Sequence, residues 1–337
     1  MSARRPSSHW LAPQQAAIDA VRAACRVCRA VQKNLVSTDT LAKKDRSPVT
    51  VADFASQAVI CEMLGRVFPD DVIVGEEQAD ALRQDNQQAL RASVTEHVAA
   101  GLGNSTIDEA QVLNWIDRGG TSSADGQSYW TVDPIDGTKG FLRGGQYVVA
   151  LALLVDRQVV LGVLGCPNLP CNGSSGSLMV AIQDGGTTQL PLDGEHCQGS
   201  LVHVSNMNDS TTSRFCESVE SGHSSHDDAA RIAEHLDITT EPLRMDSQAK
   251  YAAVARGDAQ IYLRLPTSSE YRENIWDHAA GCIVVTEAGG RVSDTRGQDL
   301  EFAYGRRLEA NRGIVATNGL LHQQVLDAIA STSPHHG

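Results

Sequence analysis

Asp133-Pro134-Ile135-Asp136-Gly137-Thr138 places two carboxylates and a hydroxyl within one tight chain reversal. Two aspartates three positions apart, with a proline restricting the chain between them, can offer oxygen ligands to neighbouring hard cations, and carboxylate is the ligand type that Mg²⁺ prefers. Gly137 lets the backbone approach a ligand closely, and a helix beginning near Thr138 would turn unpaired N–H groups toward phosphoryl oxygens. An isolated Asp-Gly is ordinary turn chemistry. The second aspartate, the proline and the strand-like Tyr129 to Val132 before the turn favour a site.

The surrounding chain limits what such a site can serve. Its 337 residues, 41% of them hydrophobic, suffice for one large core or two that share an interface. A formal net charge of −13 without a concentrated basic patch argues against a nucleic-acid groove or an anionic membrane surface. A small anion remains compatible where bound cations reverse the local field. No apolar run approaches the ~20 residues that span a bilayer, and Met1 to Pro13 has no secretory apolar core. The expected compartment is the cytoplasm, with an organelle leader the alternative because that opening carries Arg4, Arg5 and serines but no acidic residue. Eight cysteines without a dense framework fit a reducing compartment. Cys25 and Cys28 lie in a helical pattern and read as core residues; the pairing of Cys166 with Cys171 stays open.

Periodicity predicts helices over Pro13 to Val36 and about Asp53 to Val67, then a short buried strand, Val72-Ile73-Val74, delivering Gly75-Glu76-Glu77 at its end. Gln78 to Ser128 is polar, first helix-like and then loop-like. Tyr147 to Val155 and Val159 to Cys166 read as a hairpin with a three-residue connection, buried on both faces. After a weakly patterned stretch to about Ser200, helical segments at 247–256, 276–288 and 319–330 alternate with strand-like ones at 259–265, 291–293 and 313–316.

Ser47-Pro48-Val49-Thr50-Val51-Ala52-Asp53, Val74-Gly75-Glu76-Glu77, the acidic turn extended through Lys139-Gly140-Phe141-Leu142-Arg143, and Trp276-Asp277-His278-Ala279-Ala280-Gly281 together resemble the lithium-sensitive, Mg²⁺-dependent phosphomonoesterases related to inositol monophosphatase. Gly222-His223-Ser224-Ser225-His226-Asp227, Asp246-Ser247-Gln248-Ala249-Lys250-Tyr251 and Tyr262-Leu263-Arg264-Leu265-Pro266 resemble the 3′(2′),5′-bisphosphate nucleotidase branch. The likeness runs from about residue 14 to 330. Gly145 departs from it, standing where family members often carry an acidic residue.

The resemblance implies an α/β fold, a layered α-β-α-β-α sandwich of the inositol monophosphatase and fructose-1,6-bisphosphatase type. Its expected parts are a flexible segment 1–13, a metal-site region 14–200, a nucleotide-binding region 201–330 and a flexible tail 331–337. It implies that Glu76, Asp133, Asp136, Asp277 and the Ile135 carbonyl share two or three Mg²⁺ ions. Asp53 and Thr138 match the pair that orients the nucleophilic water, although Thr138 also suits a helix N-cap. Gly137, Thr138, His223, Ser224, Ser247, Lys250, Arg264 and Asp277 match positions around the nucleotide, with Lys250 and Arg264 on the retained phosphate. The implied reaction is hydrolysis of adenosine 3′,5′-bisphosphate to AMP and phosphate by a monomer, with Li⁺ inhibition. 3′-Phosphoadenylyl sulfate and the 2′,5′-bisphosphate are further implied substrates. Two alternatives share the acidic motifs: an inositol polyphosphate 1-phosphatase or inositol monophosphatase, and a nucleotide sensor without catalysis.

Overall fold

Ala17, Ala20, Val21, Ala24, Cys25, Cys28 and Val31 recur at helical intervals, and they are the buried face of α1 (Leu11–Ser37). α2 (Ser47–Val67) packs along it. The computed structural model describes residues 8–37, 47–121, 128–171, 173–194, 199–219, 226–266, 268 and 270–332. α2 starts six residues before the expected Asp53, because Pro48 sits in the first helical turn, where its missing N–H costs nothing.

β1 (Val72–Gly75) follows, then α3 (Gln88–Leu102), α4 (Glu109–Arg118) and β2 (Ser128–Asp136). A capping box between Asp108 and Gln111 starts α4, which ends before Gly119-Gly120. α5 (Thr138–Arg143), β3 (Val148–Val155) and β4 (Gln158–Cys166) come next. Asp156 and Arg157, with φ of 49° and 68°, make a two-residue link between β3 and β4 rather than the expected three. β5 (Ser177–Ile182), β6 (Gly186–Pro191) and β7 (Ser200–Val202) extend the sheet through sequence that carried no clear pattern. β8 (Phe215–Glu217), α6 (His226–His235), β9 (Leu243–Arg244), α7 (Ala249–Ala255), β10 (Ile261–Arg264), α8 (Ala279–Glu287), β11 (Arg291–Ser293), β12 (Ile314–Thr317) and α9 (His322–Thr332) complete the described chain.

The strands form a seven-stranded sheet in the order β1-β2-β3-β4-β5-β6-β7 and a five-stranded sheet in the order β11-β12-β10-β8-β9. Side-chain alternation shows what covers each face. Along β3, Val149, Leu151 and Leu153 join the core shared with α1 and α2, whereas Val148, Ala150, Ala152 and Leu154 join the core shared with α7 and α8. Along β12, Ile314 and Ala316 face that second core, and Val315 faces a third, beneath α6 and α9. The layers therefore run α1/α2, seven-stranded sheet, α7/α8, five-stranded sheet, α6/α9. This is an α-β-α-β-α sandwich, with no helix among the described residues long and apolar enough to cross a membrane.

Candidate active site

The parallel pair β1 and β2 ends at one edge of the middle layer, so Glu76 emerges beside the acidic turn. Regular strand alternation would send residues 133 and 136 to opposite faces. The register of β2 against β3 shifts between Asp133 and Asp136, around Pro134, and both carboxylates consequently line one cavity. Ile135 lines it too while its side chain belongs to the α1/α2 core, which leaves its main chain facing the cavity. α2 holds the turn from behind: Ser56 Oγ donates to the Pro134 carbonyl at 3.1 Å, and Gln57 bonds both backbone groups of Glu77.

The turn closes onto α7. Gly137 has φ 88°, and a Cβ there would lie 2.8 Å from that of Ser247, itself at φ 67°. Gln248 N donates to Asp136 Oδ2 at 2.7 Å, which fixes that carboxylate from the far side. Lys250 is buried, its Nζ 3.4 Å from the Met245 carbonyl and 5.2 Å from the centre of the Tyr262 ring. Arg264 reaches the cavity from the end of β10, with Nη2 3.5 Å from Asp277 Oδ2. Asp277 lies ahead of α8, which starts at Ala279 and not at Trp276. Arg306 joins the end of β1 to the segment ahead of α8: its guanidinium stacks 4.5 Å above the Trp276 ring, and Nη2 donates to the Gly75 carbonyl at 2.7 Å.

The resulting cavity of ≈ 320 Å³ collects Glu76, Asp133, Ile135, Asp136, Gly137, Thr138, Ser247, Lys250, Arg264 and Asp277. Asp53 does not line it. It is buried on α2 and, among the described residues, no hydrogen bond joins it to Thr138. Gly137 and not Thr138 takes the N-cap position of α5, so the exposed Thr138 hydroxyl faces the cavity without capping the helix. His223 and Ser224 lie outside the described residues. Ser218, Tyr271 and Asn274 also line the cavity. They sit in loops beyond β8 and β10, where no periodic pattern marks them.

Electrostatics give the cavity its chemistry. Glu76, open to the cavity on one side and packed against its wall on the other, is pushed up to about 8 by lost hydration and then by the Asp277 carboxylate. Burial, with Glu76 next, raises Asp133 well above the usual carboxylate range. Burial raises Asp277 as well, against an opposing pull from Arg264. Asp53 is raised by burial and by Glu77 and Glu76. Burial also pulls the Lys250 ammonium below its ordinary range, with Asp136 opposing the shift. Asp133 Oδ1, buried, has no hydrogen-bond partner. A crowded carboxylate group with an unsatisfied oxygen is what a divalent cation would relieve, so the donor set fits the Mg²⁺ expected there.

The signature described as "Inositol monophosphatase family" matches residues 11–334. The chain belongs to this family. Within it, the chain is 41% identical to a 3′(2′),5′-bisphosphate nucleotidase of Schizosaccharomyces pombe, over 96% of this chain and 97% of the relative. A Dictyostelium discoideum protein of the same description is 43% identical over 93% and 95%. Among solved structures, the inositol monophosphatase of Anabaena (Nostoc) sp. PCC 7120 superposes with a TM-score of 0.63 at 21% identity, covering 97% of this chain and 98% of that one. That likeness establishes the inositol monophosphatase fold.

The remaining signals are structural. Cys25 and Cys28 are buried with free thiols pushed up by burial, as expected of core residues. Cys166 carries a free thiol pushed up to about 12 by burial. At Gly145 an added side chain would meet nothing closer than 3.5 Å, so the acidic residue common in the family would fit here sterically.

Proposed function

We propose that the chain is a Mg²⁺-dependent phosphomonoesterase that hydrolyses adenosine 3′,5′-bisphosphate to AMP and phosphate. The observation that carries this reading is that one cavity holds both a set of carboxylates, Glu76, Asp133, Asp136 and Asp277, and two cations, Lys250 and Arg264. A monophosphate needs only the carboxylates and their ions. A substrate with a second, retained phosphate uses Lys250 and Arg264 as well, and arginine suits it because its planar fork matches phosphate oxygens. The relatives described as 3′(2′),5′-bisphosphate nucleotidases support the same choice. 3′-Phosphoadenylyl sulfate and the 2′,5′-bisphosphate present the same pair of charges and are further substrates.

Glu76, Asp133, Asp136, Asp277 and the Ile135 main chain would hold two or three Mg²⁺ ions. Bound there, the cations supply positive charge and Lewis acidity toward the phosphoryl oxygens. Thr138, exposed at the cavity surface, orients the attacking water, and Asp53 on α2 is the assigned proton acceptor, a role that requires a contact with Thr138 not formed among the described residues. Gly137 lets the acidic turn close against Ser247, which brings both to the proposed phosphoryl site. His223 and Ser224 complete the nucleotide contacts in this reading. Residues 14–200 thus supply most of the metal ligands and 201–330 most of the nucleotide grip.

Phosphate release from adenosine 3′,5′-bisphosphate and from inositol 1,4-bisphosphate, each with and without Mg²⁺, tests the proposal. The expected result is Mg²⁺-dependent release with the nucleotide preferred. Preference for the inositol substrate would overturn the assignment, and tight nucleotide binding without release would replace it by a sensor.

A further inference from the structure

Arg264 is held from behind. Its Nε lies 2.8 Å from Glu273 Oε2, and its Nη2 donates to the Tyr271 hydroxyl at 3.3 Å. Glu273 is buried and does not line the cavity, so it acts on a ligand only through another group. Behind Glu273 stands His278, fully buried, with Nε2 3.2 Å from the same Oε2 and Nδ1 2.8 Å from the Tyr251 hydroxyl. With Tyr251 donating to Nδ1, the ring N–H at Nε2 points at Glu273 and both ring nitrogens are satisfied. The chain of contacts therefore runs from Tyr251 on α7, through His278 and Glu273 before α8, to Arg264 on β10.

This arrangement does more than neutralise a buried charge. Glu273 lies against Nε while Tyr271 and Asp277 lie against Nη2, and these contacts together limit where the guanidinium can turn. A guanidinium already held in place loses less freedom on gripping a phosphate than one on a loose stem. We infer that Glu273, braced by His278 and Tyr251, is a positioning residue for Arg264 and sets the preference for substrates that carry a second phosphate. The inference rests on the assignment of Arg264 to the retained phosphate under the proposed function.

The test compares the wild-type full chain in Mg²⁺ with Glu273→Gln and Tyr251→Phe, on adenosine 3′,5′-bisphosphate and on adenosine 3′-monophosphate. Glu273→Gln is expected to raise KM for the bisphosphate about tenfold, because a charge-assisted contact that aligns the fork is lost. KM for the monophosphate and the half-saturating Mg²⁺ concentration are expected to stay within about twofold, which a general disturbance of the site would not permit. Tyr251→Phe, one step further along, is expected to change KM for the bisphosphate in the same direction by about threefold. Should Glu273→Gln fail to fold, Tyr251→Phe decides by the same two-substrate comparison. Equal losses on both substrates, or none on either, would overturn the inference. A wild type without preference for the bisphosphate overturns the nucleotidase reading and the inference together; a preference that survives both substitutions overturns the role of Glu273 alone.

Discussion

Gly137 and Ser247 touch so closely that a methyl group on the first would lie 2.8 Å from the side chain of the second. Gly137 also holds φ at 88°, a conformation that L side chains rarely adopt. Gly137→Ala is therefore expected to destabilise the fold by about 1–3 kcal/mol and to push the acidic turn away from α7. Thermal unfolding reads the first effect and KM for nucleotide the second; a stable variant with unchanged KM would show that the contact is slack.

The proposed reaction gives Thr138, at the cavity surface, and Asp53, buried on α2, a shared part in activating water. Thr138→Ala and Asp53→Ala are each expected to lower kcat by about 10²–10⁴-fold, the usual range for losing proton transfer or its alignment. Nucleotide affinity should change little. Loss of binding with turnover per bound substrate intact would remove both residues from the chemical step.

The raised carboxylates predict how the metal-free protein responds to pH. Glu76 holds its proton to about 8 in the folded state, and Asp133 is shifted in the same direction. Between the ordinary carboxylate range and about 8, the unfolded chain releases these protons while the folded chain keeps them, so stability falls as pH rises. The unfolding temperature without divalent cations should drop from pH 5 to pH 8, and added Mg²⁺ should restore more at pH 8. A midpoint that stays flat over this window would contradict the crowding described for the cavity.

Asp133 offers a sharper version of the same experiment. Asp133→Asn removes one titratable carboxyl while keeping its shape, so the unfolded chain no longer gains by ionising it, and the metal-free protein at pH 8 should be stabilised by about 1–3 kcal/mol. The substitution should also abolish the Mg²⁺-induced rise in unfolding temperature and nearly all turnover. Retention of that rise would place the cation elsewhere.

The α/β architecture and the acidic turn were legible because they are written in short-range chemistry. Asp133, Pro134 and Gly137 announce a tight turn, and the unbroken apolar run of β3 announces a strand covered on both faces. The β5–β6 hairpin was not legible. Its second strand, Gly186–Pro191, is largely polar, and pairing with β5 and β7 rather than its own composition holds it in place. Ser218, Tyr271 and Asn274 escaped for a related reason: loop residues reach the cavity through the packing of distant elements, which no local spacing encodes. α2 was misjudged at its start because Pro48 reads as a break unless its place in the first turn is known.

Arg306 clamps the end of β1 to the segment ahead of α8, grasping the Gly75 carbonyl while its guanidinium lies over the tryptophan that precedes Asp277. Glu76 and Asp277 are thereby kept at a set spacing by a cation that belongs to the protein. No three of Glu76, Asp133, Asp136 and Asp277 bring ligand oxygens within 4.8 Å of one another. A divalent ion proposed for this place would therefore have to draw the carboxylates inward against that clamp, and a smaller ion would demand more of that movement than a larger one.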